Sequence, residues 1–119
     1  MKTTTAFAKS TMSTFDPVKI SIKEGSRVCK KCTSSQANGL SMTEVIKHDP
    51  EKNWLDTPTI GSVIHILQQG IIPHREDLGY RLEDKIYCKG GKLTTEKTSK
   101  IIGKVIPQGI YIDFLSTSN

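Results

Sequence analysis

Residues 84–115 read DKIYCKGGKLTTEKTSKIIGKVIPQGIYIDFL, and the alternation in this stretch decides the fold. In residues 84–88, Ile86 and Cys88 fall on one face and Lys85 and Tyr87 on the other, which is the period of two of a strand. Gly90-Gly91 follows. Two glycines reach the positive φ of a tight hairpin turn without steric cost. The return strand begins at Lys92-Leu93-Thr94-Thr95. Residues 100–106 and 110–115 give two more strands around the turn Pro107-Gln108-Gly109, with Ile110, Ile112 and Phe114 on a shared face.

Working outward, residues 59–67 read TIGSVIHIL, a strand rich in β-branched residues. Gln68-Gln69-Gly70 breaks or bulges it, and Ile71-Ile72 continue to Pro73. Near the other end, Val18, Ile20 and Ile22 alternate with Lys19, Ser21 and Lys23, which predicts a half-buried strand. Glu24-Gly25-Ser26 marks a turn, and Arg27-Val28-Cys29 gives a short return strand. Residues 33–39 are polar and loop-like. Residues 40–58 read as an insertion. There Ser41 and Glu44 have the spacing of a capping box, Val45-Ile46 supply a small apolar face, and Asp49-Pro50 stops the helix within one or two turns. The single Trp54 is expected to anchor this loop on the core. Residues 1–16 are rich in Thr, Ser and Lys, with Phe7 and Phe15 as their large apolar groups, and read as an extended basic arm. The expectation is an all-β fold: a small antiparallel β-barrel or β-sandwich over residues 17–119, with an N-terminal arm and a short helical or loop insertion at 40–58.

The chain has 119 residues, 35% hydrophobic and 6% aromatic. One domain with a modest core of Ile, Val and Leu fits that length. The net charge of +5 is unevenly placed. Residues 1–36 hold seven Lys/Arg against two Asp/Glu, whereas residues 37–119 hold ten of each. A basic segment of this kind favours an acidic partner surface, with a solvated tail as the alternative. No run approaches the roughly 20 apolar residues of a membrane span. The first fifteen residues, MKTTTAFAKSTMSTF, lack the apolar stretch of a secretory signal, so synthesis in the cytoplasm without export is expected. Cys29, Cys32 and Cys88 are an odd number, which suits reduced thiols.

No catalytic constellation emerges. Cys29-Lys30-Lys31-Cys32 has the spacing that opens a zinc site, but four ligands are needed and no second such pair exists. Cys88 with His48, His65 or His74 would have to complete the set. Residues three apart on a strand also point to opposite faces. His65 alternates with Val63 and Leu67 and is expected in the core or an interface. Glu76-Asp77 and Glu83-Asp84 flank turns and read as solvated. No nucleophile elbow or phosphate loop is present. The chain is therefore read as a non-enzyme without cofactor or metal. A small basic barrel also suits single-stranded nucleic acid, for which Tyr80, Tyr87 and Tyr111 would be the exposed aromatics.

The string Leu82-Glu83-Asp84-Lys85-Ile86-Tyr87-Cys88-Lys89-Gly90-Gly91-Lys92-Leu93-Thr94-Thr95, then Ile101-Ile102-Gly103-Lys104-Val105 and Tyr111-Ile112-Asp113-Phe114-Leu115, resembles the closing hairpins of tailed-phage capsid cement (decoration) proteins. It is similar also to the head-fibre proteins of some phages. The resemblance covers roughly residues 59–115, including Gln69-Gly70-Ile71-Ile72-Pro73. The first half departs from that pattern with its basic arm, Cys pair and insertion, and Glu83 stands where the family often has Gly. The resemblance implies a structural protein on the outer capsid surface that bridges major capsid protein subunits, as a homotrimer or dimer. The arm residues Lys2, Phe7, Lys9 and Phe15 are the expected capsid contacts. A small basic barrel that binds nucleic acid is the alternative.

Overall fold

A computed structural model of the chain describes residues 1–49, 51 and 57–115, so the expectations placed on Pro50 and Trp54 lie outside the described residues. The strands, in chain order, are β1 (Lys2–Ala8), β2 (Pro17–Lys23), β3 (Ser26–Lys31), β4 (Gly39–Ser41), β5 (Val63–Ile72), β6 (Lys85–Lys89), β7 (Lys92–Thr94), β8 (Gly103–Ile106) and β9 (Gly109–Asp113). Glu76–Leu78 makes one 3-10 turn. The strands lie in the order β1-β3-β2-β4-β5, and β1 also pairs with β5, so these five close into a ring. Every pair in the ring is antiparallel except β1 with β3. From β5 the sheet continues through β9, β8 and β6 to β7. The chain is all-β, a small barrel with a four-stranded extension.

β5 is the wall shared by both parts, and one extra residue lets it serve both. Opposite β1 the register runs Thr3↔Leu67 and then Lys2↔Gln69, which leaves Gln68 as a bulge. Before the bulge, Ile64 and Ile66 point into the barrel, where they pack with Ala6, Ala8, Val18 and Cys29. Leu67 points the other way, into a second core with Leu40, Ile86, Ile110 and Ile112. A regular strand would next send Gln69 and Ile71 to that second core. The bulge shifts the phase, so Ile72 is buried there and Ile71 is exposed.

The β2–β3 and β6–β7 hairpins form as their turn residues dictate. Glu24 and Gly25 take φ of 52° and 81°, and Gly90 and Gly91 take 62° and 78°. In each case the residues on either side of the turn pair directly, Lys23↔Ser26 and Lys89↔Lys92. These are two-residue loops whose twist matches the strands. Ile110, Ile112 and Phe114 share a buried face, as their alternation predicts.

Four expectations are corrected. Residues 1–16 are not a free arm. Lys2–Ala8 pairs with β5 on one side and, at Phe7 and Ala8, with β3 on the other. Its threonines suit a strand, and Ala6 and Ala8 supply the small inward groups that a five-stranded ring has room for. Phe15, at φ 63°, packs against the second core. Ser41 does not cap a helix. It ends β4, its hydroxyl donates to the Thr43 carbonyl oxygen, and Val45 and Ile46 bridge to Met12 and Thr59. A helix of one or two turns does not offset its own nucleation cost, whereas Val45 is fully buried in the barrel. β5 starts at Val63 rather than 59, because Gly61 turns the chain at φ 100° and donates to the Ala8 carbonyl oxygen (2.7 Å). Tyr87, expected to be exposed, is buried, while His65 lies on the outer face between inward Ile64 and Ile66, outside the core and open to an interface.

Candidate functional site

The thiols are placed for packing. Cys29 lies in the barrel core and Cys32 in the second core, so their sulfurs diverge across the sheet. Burial raises the Cys29 pKa. Cys88 is pushed up to about 12, first by burial and then by the neighbouring Cys32, with Lys100 opposing. A thiol held protonated is neither a nucleophile nor a ligand at neutral pH. The histidines are dispersed. His48 and His65 are exposed, while His74 Nε2 meets the Ile106 carbonyl oxygen at 2.8 Å and its ring sits edge-on to Tyr80. Among the described residues no three His, Cys, Asp or Glu side chains come together as a metal-binding group. The paired acids are engaged at the surface: Asp77 with Arg75 (3.2 Å), Glu83 with Lys104 (3.5 Å) and Asp84 with Arg81 (3.7 Å).

The outer surface of the barrel is different in character. The register Val63↔Phe7 and Phe7↔Val28 lays an apolar row across β5, β1 and β3. Val63 is 56% exposed and Phe7 40% exposed, and Ile22, near the tip of the β2–β3 hairpin, is 69% exposed. Lys9, Lys19, Lys23 and Lys30 are exposed around this row. Lys19 and Lys30 are direct cross-strand partners. Two like charges in that position repel each other and cost stability, and among the described residues no acidic side chain is paired with either. Glu24 is at the hairpin tip, and Asp16 is held by Lys31 at 3.4 Å. An unrelieved basic pair beside an exposed apolar row suits an acidic partner with apolar groups.

Of the four expected contact residues, Phe7 and Lys9 lie on this face. Lys2 is exposed at the far end of β1, near Gln69, and Phe15 belongs to the second core. Val63, Lys19 and Lys30 join the face although they were not among the expected contacts, whereas Ile22 and Arg27 are in phase with inward Ile20 and Cys29 and line the gap beside β1. The signal was present in the alternation of Lys19, Ser21 and Lys23, whose partner strand adds Lys30 in register. Comparison of the chain with protein-family models, with curated proteins and with solved structures yields no match.

Proposed function

We propose that the chain is a phage head decoration protein that docks on the outer surface of the capsid and braces neighbouring major capsid protein subunits. The observation that carries this reading is the exposed apolar pair Val63 and Phe7, backed by buried Val28 and bordered by the like-charged Lys19–Lys30 pair, on a closed barrel. Basic side chains steer the subunit onto an acidic lattice, and the exposed apolar groups supply affinity once seated. The resemblance of residues 59–115 to capsid cement proteins gives the lattice as the partner. The charge-balanced second half, whose outer face carries Ile71, Ile101 and Tyr111 with Lys104 and Asp113, is the face proposed for contact between copies in a dimer or trimer. Repetition over the shell adds avidity without new contacts.

The test is co-sedimentation of the purified chain with heads of the phage that encodes it, followed by a cryo-EM map. Density of this chain on the shell supports the proposal, and heads that neither carry nor bind it refute it. A second reading has one specific observation behind it: four cations, Lys9, Lys19, Lys23 and Lys30, on one face of a small barrel also fit a phosphate backbone. Among the described residues only Phe7 offers a ring for stacking on that face. Steeply salt-dependent binding of single-stranded DNA in a gel shift, without capsid binding, is the result that favours it.

A further inference from the structure

β1 and β3 are paired at Phe7↔Val28 and Ala8↔Cys29, and then part company. Toward the hairpin tip, β1 residues preceding Phe7 have β5 on one side and no strand on the other. The direction of each backbone group follows from those that are bonded. The Ala8 amide donates to Ser62 O on the β5 side (2.9 Å), and the Lys9 amide donates to Cys29 O on the β3 side (2.9 Å). Backbone groups alternate sides along a strand. The odd-numbered residues Thr3 and Thr5 therefore aim their N–H and C=O groups toward β3, across the gap. Arg27 confirms the direction, since its Nε donates to the Thr5 carbonyl oxygen at 3.0 Å. Among the described residues the Thr3 N–H and C=O and the Thr5 N–H meet no partner on that side. The gap is a groove of about 510 Å³ lined by Thr5, Ala6, Ile22, Gly25, Arg27 and Val63.

An open strand edge of this kind is a template for one more strand. We infer that the β1 edge at Thr3–Thr5 accepts an extended, acidic segment of a partner protein by strand addition. The proposal deepens the docking reading by naming how the partner is held. In the free chain Arg27 occupies the place of an incoming amide at Thr5 O. When a partner strand arrives, its N–H takes over that carbonyl and its C=O groups accept from Thr3 and Thr5. The guanidinium of Arg27 is then released beside the new strand, where it pairs with a carboxylate. Lys2 precedes Thr3 at the start of this edge, and exposed Lys23 stands beside Glu24, the acid at the hairpin tip. This charge balance selects an acidic segment over a basic one. Ile22 and Val63 present exposed apolar surface to alternate side chains of the guest.

The full-length chain is titrated with a peptide alternating glutamate and valine, while amide hydrogen exchange is followed residue by residue. The expected result is slowed exchange at Thr3 and Thr5, none at residues that already pair with β5, and no effect from a peptide alternating lysine and valine. Binding of phage heads is then compared for the wild type, Thr3→Pro and Thr3→Ala. Proline removes the outward N–H without touching a bond to β5, and is expected to weaken binding about five- to tenfold, while alanine leaves it unchanged. Heads bound equally by Thr3→Pro and wild type overturn strand addition but leave decoration standing. Heads bound by none of the variants refute decoration, and the peptide result then decides the edge alone. Exchange at Thr3 and Thr5 unaltered by the acidic peptide overturns the inference. So does slowed exchange at these amides on raising the protein concentration alone, which would make the occupant a second copy. Displacement of the peptide by oligothymidylate with slowed exchange retained would make it nucleic acid.

Discussion

Gly103 shows how tightly single positions are specified. A Cβ built there runs into the Tyr111 carbonyl of the neighbouring strand, so β8 and β9 approach as they do only because the side chain is absent. Gly103→Ala is expected to cost about 2 kcal/mol, read as a lower urea midpoint with an unchanged slope. Cys88 supplies a pH signature. Its thiol is held at about 12 in the folded chain against an ordinary value of 9.0. Below pH 9 both states keep the proton and the full stability is present. As pH rises from about 9 toward 12 the unfolded chain loses the proton first, so stability falls across that window. Thermal unfolding of Cys88→Ser, compared with wild type over the same range, is expected to show a flatter pH dependence. At this scale the sequence was partly legible. Its large aliphatic residues marked the second core well. Ala6, Ala8 and Cys29, which line the barrel, were overlooked because small side chains carry little apolar signal until a narrow ring gives them a place.

The element that organises the fold is β5, and its phase change at Gln68 is what allows two cores to share one wall. Deleting Gln68 would remove the bulge, and Leu67 and Ile72, then four residues apart, would still share a face by simple alternation. The expected loss therefore stays below the roughly 3 kcal/mol of a single core truncation, measured by urea unfolding against wild type. The bulge was foreshadowed by Gln68-Gln69-Gly70 between two aliphatic runs, although periodicity alone did not fix which residue was extra. The two hairpins were readable because Glu24-Gly25 and Gly90-Gly91 are local chemistry, decided by φ rather than by distant contacts. The stretch from Ser41 to Ile46 was misread for the opposite reason. Its capping pattern is a local preference, and burial of Val45 against Met12 and the barrel overrides it.

At the scale of the whole molecule, charge and topology act together. Chain segregation of charge was visible in the sequence, but its placement was not. The basic third does not trail from the fold; it is built into the barrel as β1, β2 and β3, and register brings Lys19 opposite Lys30. That pairing came from tertiary geometry, which periodicity does not encode. Under the proposed docking reading it sets stability against attachment, because relieving the repulsion strengthens the fold while removing the charge proposed to meet an acidic partner. The direct measurement is Lys19→Glu, examined for thermal stability and for co-sedimentation with phage heads on the same preparation. The account predicts a barrel stabilised by roughly 0.5 kcal/mol through the new Glu–Lys cross-strand pair, together with capsid binding weakened about tenfold. A variant that is equally or more stable and binds heads as tightly as wild type would contradict it.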